Sequence, residues 1–442
     1  MQEMTSLSNI PGCRGDGMSL HSLFLFFILF IFIYGWKVTD ILDLILLTSI
    51  FLIFYVFVLL RARLSRQIVF ILAILYGLSL YAFLIIALNG TSELQFAMRS
   101  ARSLINFGGG VALVYLYHRQ HKEEFVKQLI SHLFIAILLH GVLIIAMYLV
   151  DDFRNVIYQL TSAHSIVNNN YPFMNGLRIT GLTYGLASTS VLQMFGILLM
   201  PAMLYYWGKS MLKNSLIVLG TVIILLSITL AGNSGLLLSI LLLPFVSLMT
   251  FSRQRVLGVI LKSIKISVPS IIVIVLSQSV LSFMPDQFHR YTIEKVGEVG
   301  EVFTNSGETS TTITLMDMYH LPNNVTVFLF GSGELGRGEA GNTPSDVGWI
   351  RWIFAVGIFG SVIMVIPYLY AMWKALGLRS KQRCLSVLTF AILIGSFLLH
   401  FKEVGLYNRN AWSVQSVLIS ACLFVYNHKN LKEDQIEGES TL

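Results

Sequence analysis

The fold is decided by stretches such as QLISHLFIAILLHGVLIIAMYL, residues 128–149, which contain no charged side chain. A helix of roughly 20 apolar residues crosses a hydrocarbon core of about 30 Å, and it satisfies its own backbone hydrogen bonds there. The chain has about twelve such runs, so the sequence predicts an all-α, polytopic helical membrane protein with about 12 transmembrane helices. The runs lie at residues 20–36, 40–60, 68–88, 103–118, 128–149, 186–207, 214–231, 234–251, 266–284, 348–372, 384–401 and 412–427.

The composition of the 442-residue chain agrees with a membrane solvent, because 55% of its residues are hydrophobic and only 12% are charged. Soluble domains carry about 25% charged residues. The net charge is +7, but the basic residues are scattered over short loops, which indicates membrane topology rather than a nucleic-acid partner. The cysteines, Cys13, Cys384 and Cys422, have no CxxC spacing, so neither a disulfide framework nor a thiolate metal site is expected.

The orientation of the spans follows from the loops, because cytoplasmic loops of membrane proteins are rich in lysine and arginine. If the N-terminus is cytoplasmic, 19 of the 30 basic residues lie inside and both termini are cytoplasmic. This predicts an N-terminal segment at 1–19, a transmembrane domain at 20–427 and a tail at 428–442. Two long segments, 150–185 and 285–347, then lie outside, and loops of such length are usually functional.

Basic residues at the predicted outer ends of the spans are not explained by this rule, and they are costly near lipid. Guanidinium groups match phosphate oxygens in a bidentate manner, so these residues predict binding of an anionic headgroup at the membrane surface. The alternative is that individual basic residues extend their charged ends to the membrane–water interface or form structural ion pairs, for example Arg351 with Asp346. The candidates are Arg178 and the nearby Tyr184, Arg290, Arg351, Lys402 and Arg409.

The glycine-rich stretch GSGELG at 331–336 matches the dinucleotide pattern GxGxxG, but no helix-opening sequence follows it. A dinucleotide site is therefore rejected, and the glycines are expected to allow a tight turn or a close approach to a substrate. The outside histidines show no HExxH spacing, so no metal site and no cofactor are predicted.

Six short motifs stand out along the chain: LRITGL (177–182), LAGNSGL (230–236), FGSG (330–333), SDVGWIRWIFAVGIFG (345–360), FKE (401–403) and NRN (408–410). Together with the topology, they resemble the O-antigen polymerase (Wzy-type) family. That family is related to the O-antigen ligases, within the polytopic glycosyltransferases that use lipid-linked sugars. Two positions depart from related ligases. Ser345-Asp346 stands where they commonly have a histidine, which favours a polymerase, and Asn233-Ser234 stands where they often have Ser-Arg.

The resemblance implies a polymerase of the bacterial inner membrane that works on the periplasmic face. It would transfer the growing glycan from undecaprenyl pyrophosphate to a sugar hydroxyl of a new lipid-linked repeat unit. Such a transfer needs cations at the departing pyrophosphate and a base at the acceptor hydroxyl. On this interpretation the candidates above bind pyrophosphate, and Asp346, then Glu403, then His320 are the candidate bases.

The implied partners are the undecaprenyl-pyrophosphate-linked oligosaccharide, the lipid bilayer and, as a candidate, a polysaccharide chain-length regulator; no nucleic acid is expected. Two alternatives remain open, a flippase or transporter for the same lipid-linked oligosaccharide and an O-antigen ligase. A transporter would be expected to have short loops on both faces, whereas here the 63-residue segment 285–347 lies on one face.

Overall fold

The computed structural model describes residues 20–37, 43–91, 93–161, 178–183, 185–208, 210–251, 315–334, 345–380 and 382–440. Within these residues the chain is helical and forms no strand, which confirms the predicted all-α class. The helices are α1 (Leu20–Tyr34), α2 (Leu44–Ile53), α3 (Arg66–Asn89), α4 (Gln95–His121), α5 (Phe125–Leu149), α6 (Asp151–Thr161), α7 (Leu186–Trp207), α8 (Met211–Ala231), α9 (Asn233–Thr250), α10 (Val325–Phe330), α11 (Gly348–Gly377), α12 (Arg383–His400) and α13 (Arg409–Ser440).

Six helical stretches in the described residues are long and apolar enough to cross a membrane. One of them, 95–149, contains both α4 and α5, which are joined by a short 3-10 turn at Lys122–Glu124. Three shorter apolar helices accompany them, at Leu20–Tyr34, Leu44–Leu59 and Ser234–Thr250. The protein is therefore a membrane-spanning helical protein.

Most of the apolar runs identified in the sequence are helices in the structure, and most of their ends agree within a few residues. The exceptions are α4, which begins at Gln95 rather than at 103, and α13, which continues to Ser440 rather than ending at 427. The run at 266–284 and most of the segment 285–347 lie outside the described residues. Two helices were not predicted: α10 lies within the segment 285–347, and α6 lies at the start of the segment 150–185, immediately after α5. The sequence analysis treated that segment as a loop because α6 contains polar and apolar residues in nearly equal measure.

Helix α4 packs against α2, α3 and α13. Close packing is made possible by three consecutive glycines, Gly108–Gly110, all buried. A Cβ atom at Gly109 would lie 2.8 Å from the Cα atom of Ser49 in α2, and one at Gly110 would lie 2.6 Å from Oγ of Ser416 in α13. Small residues at such positions let helix backbones approach closely in membranes.

The buried apolar side chains form two large clusters and one small one. The largest joins α1, α5, α7, α8 and α12. The second joins α3 and α11 with parts of α4, α12 and α13. The small third cluster holds α6 against the end of α5 through Ile157, Tyr158 and Ile144, and it includes Ile179.

We expect Gly109→Ala to destabilise the protein, because the added methyl group meets the backbone of α2 and such overpacking costs about 1–3 kcal/mol. The matched control is Gly77→Ala in α3, where an added Cβ meets no atom within 4 Å. Alanine is favoured over glycine in a helix by up to about 1 kcal/mol, so Gly77→Ala should preserve or raise the Tm. Thermal unfolding in detergent micelles measures both, and equal Tm values for the two variants would contradict the close packing of α4.

Candidate functional site

Helix α11 is interrupted at Gly357, whose backbone is left-handed at φ 66°. The interruption frees the carbonyl groups of the preceding turn, which lipid cannot satisfy. The FGSG motif supplies the missing donors. The backbone N–H of Ser332 donates to the carbonyl of Phe354 over 2.7 Å, and that of Gly333 donates to the carbonyl of Ala355 over 2.9 Å.

Two residues of α3 complete this junction. The hydroxyl of Tyr81 lies 3.1 Å from the carbonyl oxygen of Phe330 and 3.3 Å from that of Val356, and it can donate to either. The side-chain amide of Asn89 donates to the carbonyl of Gly331. Gly331 and Gly333 both have φ 87°. Gly331 and Gly333 therefore allow a tight turn, and Gly331 lies directly against the backbone of α11. Gly336 lies outside the described residues, and the approach to a substrate stays a prediction.

The LRITGL motif, described from Arg178 onward, is fixed by a buried histidine of α5. Nε2 of His140 accepts a hydrogen bond from the backbone N–H of Leu182 over 3.0 Å. Its Nδ1 lies 2.9 Å from the side-chain amide of Gln193, and its ring stacks on Tyr34 with centroids 4.3 Å apart. Gly181, at φ 60°, leaves room for the histidine, because any Cβ there would overlap it.

These contacts assign the tautomer of His140. A neutral imidazole has one donor and one acceptor nitrogen, and Nε2 is the acceptor here. Nδ1 therefore carries the proton, and its partner on Gln193 must be the carbonyl oxygen of the amide. That amide orientation also provides a partner for Oε1 of Gln193, which otherwise has none among the described residues.

The LAGNSGL motif forms the turn between α8 and α9 and meets two other motifs. The carbonyl of Leu230 accepts from the backbone N–H of Ile179 over 2.9 Å, which joins it to LRITGL. The hydroxyl of Ser234 lies 2.5 Å from Oε1 of Glu403 in the FKE motif. A further bond joins Ser188 of α7 to Oδ1 of Asn408 in the NRN motif. Four motifs that are far apart in sequence therefore meet at one end of the helical bundle.

Three arginines lie at this same end, and we call them the arginine cluster: Arg99, Arg102 and Arg351. Arg99 and Arg102 lie one turn apart near the start of α4, and Arg351 lies in the first turn of α11. The charges of Arg102 and Arg351 both act on Arg99. All three residues are partly buried. Like charges in such an environment repel one another, so the cluster is suited to hold an anion.

Next to Arg99 lies a group of buried donor atoms without hydrogen-bond partners among the described residues, which we call the donor cluster. Its atoms are Nη1 of Arg99, Nε1 of Trp349, Nε1 of Trp352 and Nε2 of His400. The rings of Trp349 and Trp352 lie 4.7 and 4.1 Å from that of His400, centroid to centroid. The charge of Arg99 also acts on His400.

His400 belongs to the donor cluster because its other nitrogen is occupied. Nδ1 accepts from the backbone N–H groups of Gly405 and Leu406 at 3.1 and 3.4 Å. Neutral His400 therefore carries its proton on Nε2. Gly348 packs directly against this ring, and any Cβ there would overlap it. Buried polar atoms are normally satisfied, so four donors at one place are suited to a group that carries several acceptor oxygens.

The predicted site residues are distributed unevenly around these clusters. Arg351 belongs to the arginine cluster. Lys402 and Glu403 lie two and three residues after His400 and are partly buried. His320 packs its ring against Phe354 of α11 at 5.7 Å, and Asp346 is partly buried just before α11. The segment that contains His320 is anchored by Tyr319, whose hydroxyl donates to the carbonyl of Phe401 and whose pKa is raised by burial.

Two predicted binding residues are engaged in contacts that hold helices together. Arg409 is paired with the buried Asp43, the N-cap of α2, at 3.0 Å, and it also donates to the carbonyl of Gly35 at 2.6 Å. The carbonyl of Arg178 lies 3.4 Å from the hydroxyl of Tyr158 in α6. Tyr184 and Arg290 lie outside the described residues.

The sequence analysis did not single out Arg99, Arg102, His400 or the two tryptophans. A signal existed for the arginines, because they are three residues apart and therefore share one face of a helix. The tryptophans and His400 gave no signal, because each is an ordinary residue of an apolar run until the fold brings them together.

A cavity of about 910 Å³ lies at the other end of α12, where Arg383 begins the helix. Arg383 donates there to the carbonyls of Met249 and Phe251 at the end of α9. This arginine caps a helix and is about 26 Å from His400 at 1.5 Å per residue. Among the described residues no group of three or more His, Cys, Asp or Glu side chains could hold a metal ion.

No protein-family model matches the chain, and no curated protein matches it.

We expect Gly357→Ala to lower the Tm, because a left-handed conformation costs an L-residue about 1–2 kcal/mol and the new Cβ would overlap the carbonyl of Leu329. The control is Gly377→Ala at the end of the same helix, where the nearest atom to an added Cβ is the edge of the Tyr426 ring at 3.2 Å. Thermal unfolding measures the Tm of both variants. An unchanged Tm for Gly357→Ala would mean that α11 is not interrupted at this residue.

Proposed function

We propose that the protein is a membrane-embedded glycosyltransferase that polymerises a bacterial surface polysaccharide such as O-antigen. It transfers the growing glycan from undecaprenyl pyrophosphate to a new lipid-linked repeat unit on the periplasmic face of the inner membrane. The observation that carries the proposal is the arginine cluster beside the donor cluster. A diphosphate supplies the negative charge and the acceptor oxygens that this combination calls for.

The proposed topology has about twelve spans, with both termini cytoplasmic. The six apolar stretches, the second helix within 95–149 and the three shorter apolar helices support ten of them. Helix α13 and the run at 266–284 supply the other two. In this arrangement the starts of α4 and α11 and the end of α12 all lie on the periplasmic side, where an exported lipid diphosphate is available.

The reaction divides between two groups of residues. The guanidinium groups of Arg99, Arg102 and Arg351 stabilise the diphosphate as the bond from the sugar C1 to its oxygen breaks and the electron pair leaves with it. Trp349, Trp352 and His400 donate to the diphosphate oxygens. The acceptor hydroxyl forms the new bond to C1 and gives its proton to a base. Lys402 adds positive charge beside this site, and Arg178 and Arg290 are further candidate contacts for the lipid-linked substrates.

We assign the base to Glu403. Its Oε1 is held by Ser234, so the carboxylate stands where the FKE and LAGNSGL motifs meet, three residues beyond the end of α12. A carboxylate that accepts one hydrogen bond keeps lone pairs for the acceptor hydroxyl. Asp346 and His320 are the other candidates. Both lie near the first half of α11, and the ring of His320 packs edge-on against Phe354.

Undecaprenyl pyrophosphate should raise the Tm of the purified protein, whereas undecaprenol, which has no phosphate, should not. Saturation at about 100 times the Kd corresponds to about 2.7 kcal/mol of stabilisation. Arg99→Gln and Arg351→Gln should reduce this stabilisation strongly. Arg63→Gln, which changes an exposed arginine outside the described sites, should keep it.

The same variants are then compared in the strain that lacks the protein. Arg99→Gln and Arg351→Gln should lose long polysaccharide chains and retain a single repeat unit on the lipid core, with activity reduced about 100-fold. Loss of even the single unit would identify a flippase or a ligase instead. Long chains at the normal level in both variants would remove the arginine cluster from the mechanism.

Glu403→Gln should reduce polymerisation by about 10²–10⁴-fold, the contribution typical of a general base, while binding of undecaprenyl pyrophosphate is preserved. Ser234→Ala should have a smaller effect, because it loosens the carboxylate without removing it. Asp346→Asn and His320→Gln serve as matched comparisons, each at normal membrane expression. If either of these two abolished polymerisation while Glu403→Gln did not, the base would be reassigned to that residue.

A further inference from the structure

Helix α6 is short and polar enough that it cannot be a membrane span, yet it directly follows one. Its eleven residues divide into three sectors at about 3.6 residues per turn. The first sector, which contains Arg154, Ile157, Tyr158 and Thr161, is buried against the protein. The remaining surface is exposed and consists of two sectors, one apolar and one polar, which distinguishes this helix from an ordinary surface helix.

The second sector is apolar and exposed. Phe153, Val156 and Leu160 are spaced three and four residues apart, and their exposed fractions are 38%, 51% and 56%. The third sector is polar and exposed, and it consists of Asp151, Asp152, Asn155 and Gln159. A soluble surface helix has one buried and one polar face, whereas here an additional apolar face is left without contact among the described residues.

The exposed apolar face of α6 continues the lipid-facing side of α5. Along α5 the exposed apolar residues are Ile135, Leu139, Val142 and Leu149, which follow one another at helical spacing. Val150 between the two helices is also exposed, at 51%. Exposed apolar residues therefore continue along a membrane span to Val150 and resume at Phe153, after the exposed Asp151 and Asp152, which favours lipid rather than water beside Phe153.

We propose that α6 lies in the membrane surface, with Phe153, Val156 and Leu160 among the upper acyl chains of the bilayer phospholipids. The polar sector then faces water on the adjoining side of the helix, and it consists of Asp151, Asp152, Asn155 and Gln159. Helices of this kind bury their apolar face about 5–10 Å below the headgroups. The two acidic residues lie in the first turn, where their negative charge interacts favourably with the helix dipole. The polar face has no lysine or arginine that could bind anionic headgroups. The attraction is therefore apolar and does not depend on anionic lipid.

The position of α6 also matters for its neighbours. Arg154 is paired with Asp151 at 2.9 Å, and Tyr158 reaches the carbonyl of Arg178. Through Ile157 and Tyr158 the helix packs on the same small cluster as Ile179. A helix anchored in the membrane surface thereby fixes the height of the Arg178 segment relative to the lipid headgroups. The inference does not rest on the proposed function.

The test places single nitroxide labels on α6 of the full chain reconstituted in phosphatidylcholine vesicles. Val156→Cys and Leu160→Cys report the apolar sector, and Asn155→Cys and Gln159→Cys are the matched controls on the polar sector. Cys13 is replaced by serine in every variant, Cys384 and Cys422 are buried, and the Cys13→Ser chain without an introduced cysteine gives the background labelling. Relaxation is measured with oxygen, which concentrates in the bilayer, and with a neutral nickel chelate, which concentrates in water.

At positions 156 and 160 oxygen should relax the label more strongly than the nickel chelate, and at 155 and 159 the order should be reversed. Two results would overturn the proposal. Nickel access at 156 and 160 equal to that at 155 and 159 would place the whole exposed surface in water. Protection of 156 and 160 from both reagents would mean that another part of the protein covers the helix. The Tm of each variant, measured before labelling, confirms that the variant is folded.

Discussion

The structure depends on one constraint, which is that a backbone carbonyl within a membrane must find its hydrogen-bond donor inside the protein. Most of the chain meets it with uninterrupted helices. Helix α11 does not, because Gly357 interrupts it, and the freed carbonyls of Phe354 and Ala355 are satisfied by Ser332 and Gly333. The arginine of α11, Arg351, therefore stands on a short half-helix whose position is fixed by a loop from outside the bundle.

This dependence explains why the glycines of the FGSG motif and of α11 belong together although 24 residues separate Gly333 from Gly357. Gly357 lies so close to Leu329 and Phe330 that it has no room for a side chain, and Gly331 lies equally close to Ala355 and Val356. Each glycine is required by the backbone of the residues that precede the other. His140 has the same function for the LRITGL motif, where a side chain rather than a loop supplies the partner for a free N–H group.

The sequence was sufficient to predict the helices, because lipid demands long apolar runs and no tertiary contact is needed to recognise them. It was sufficient for only part of the site. Arg351 was identified because a charge inside an apolar run is unusual, whereas Trp349 and His400 are ordinary residues there. Their importance depends on a meeting of α11 with α12 that no spacing encodes. For Arg409 the charge was conspicuous in the sequence, but its ion pair with Asp43 could not be predicted because the two residues are 366 positions apart. Helix α6 was overlooked because only long apolar runs identify spans, and α6 is short and contains polar residues in nearly equal measure to apolar ones.

The arginine cluster and the donor cluster together are suited to one kind of ligand. A cation near lipid is stable if a carboxylate accompanies it, as Asp43 accompanies Arg409. At the arginine cluster, the charges of Arg102 and Arg351 act on Arg99, and the neighbouring buried atoms of Trp349, Trp352 and His400 are donors. Like charges held together repel one another, and an anion between them offsets that repulsion. This arrangement at the end of the spans is therefore suited to a ligand that brings several negative oxygens to the membrane surface. A lipid-linked diphosphate is a ligand of that kind, and its departure as a leaving group is the step that these cations would favour.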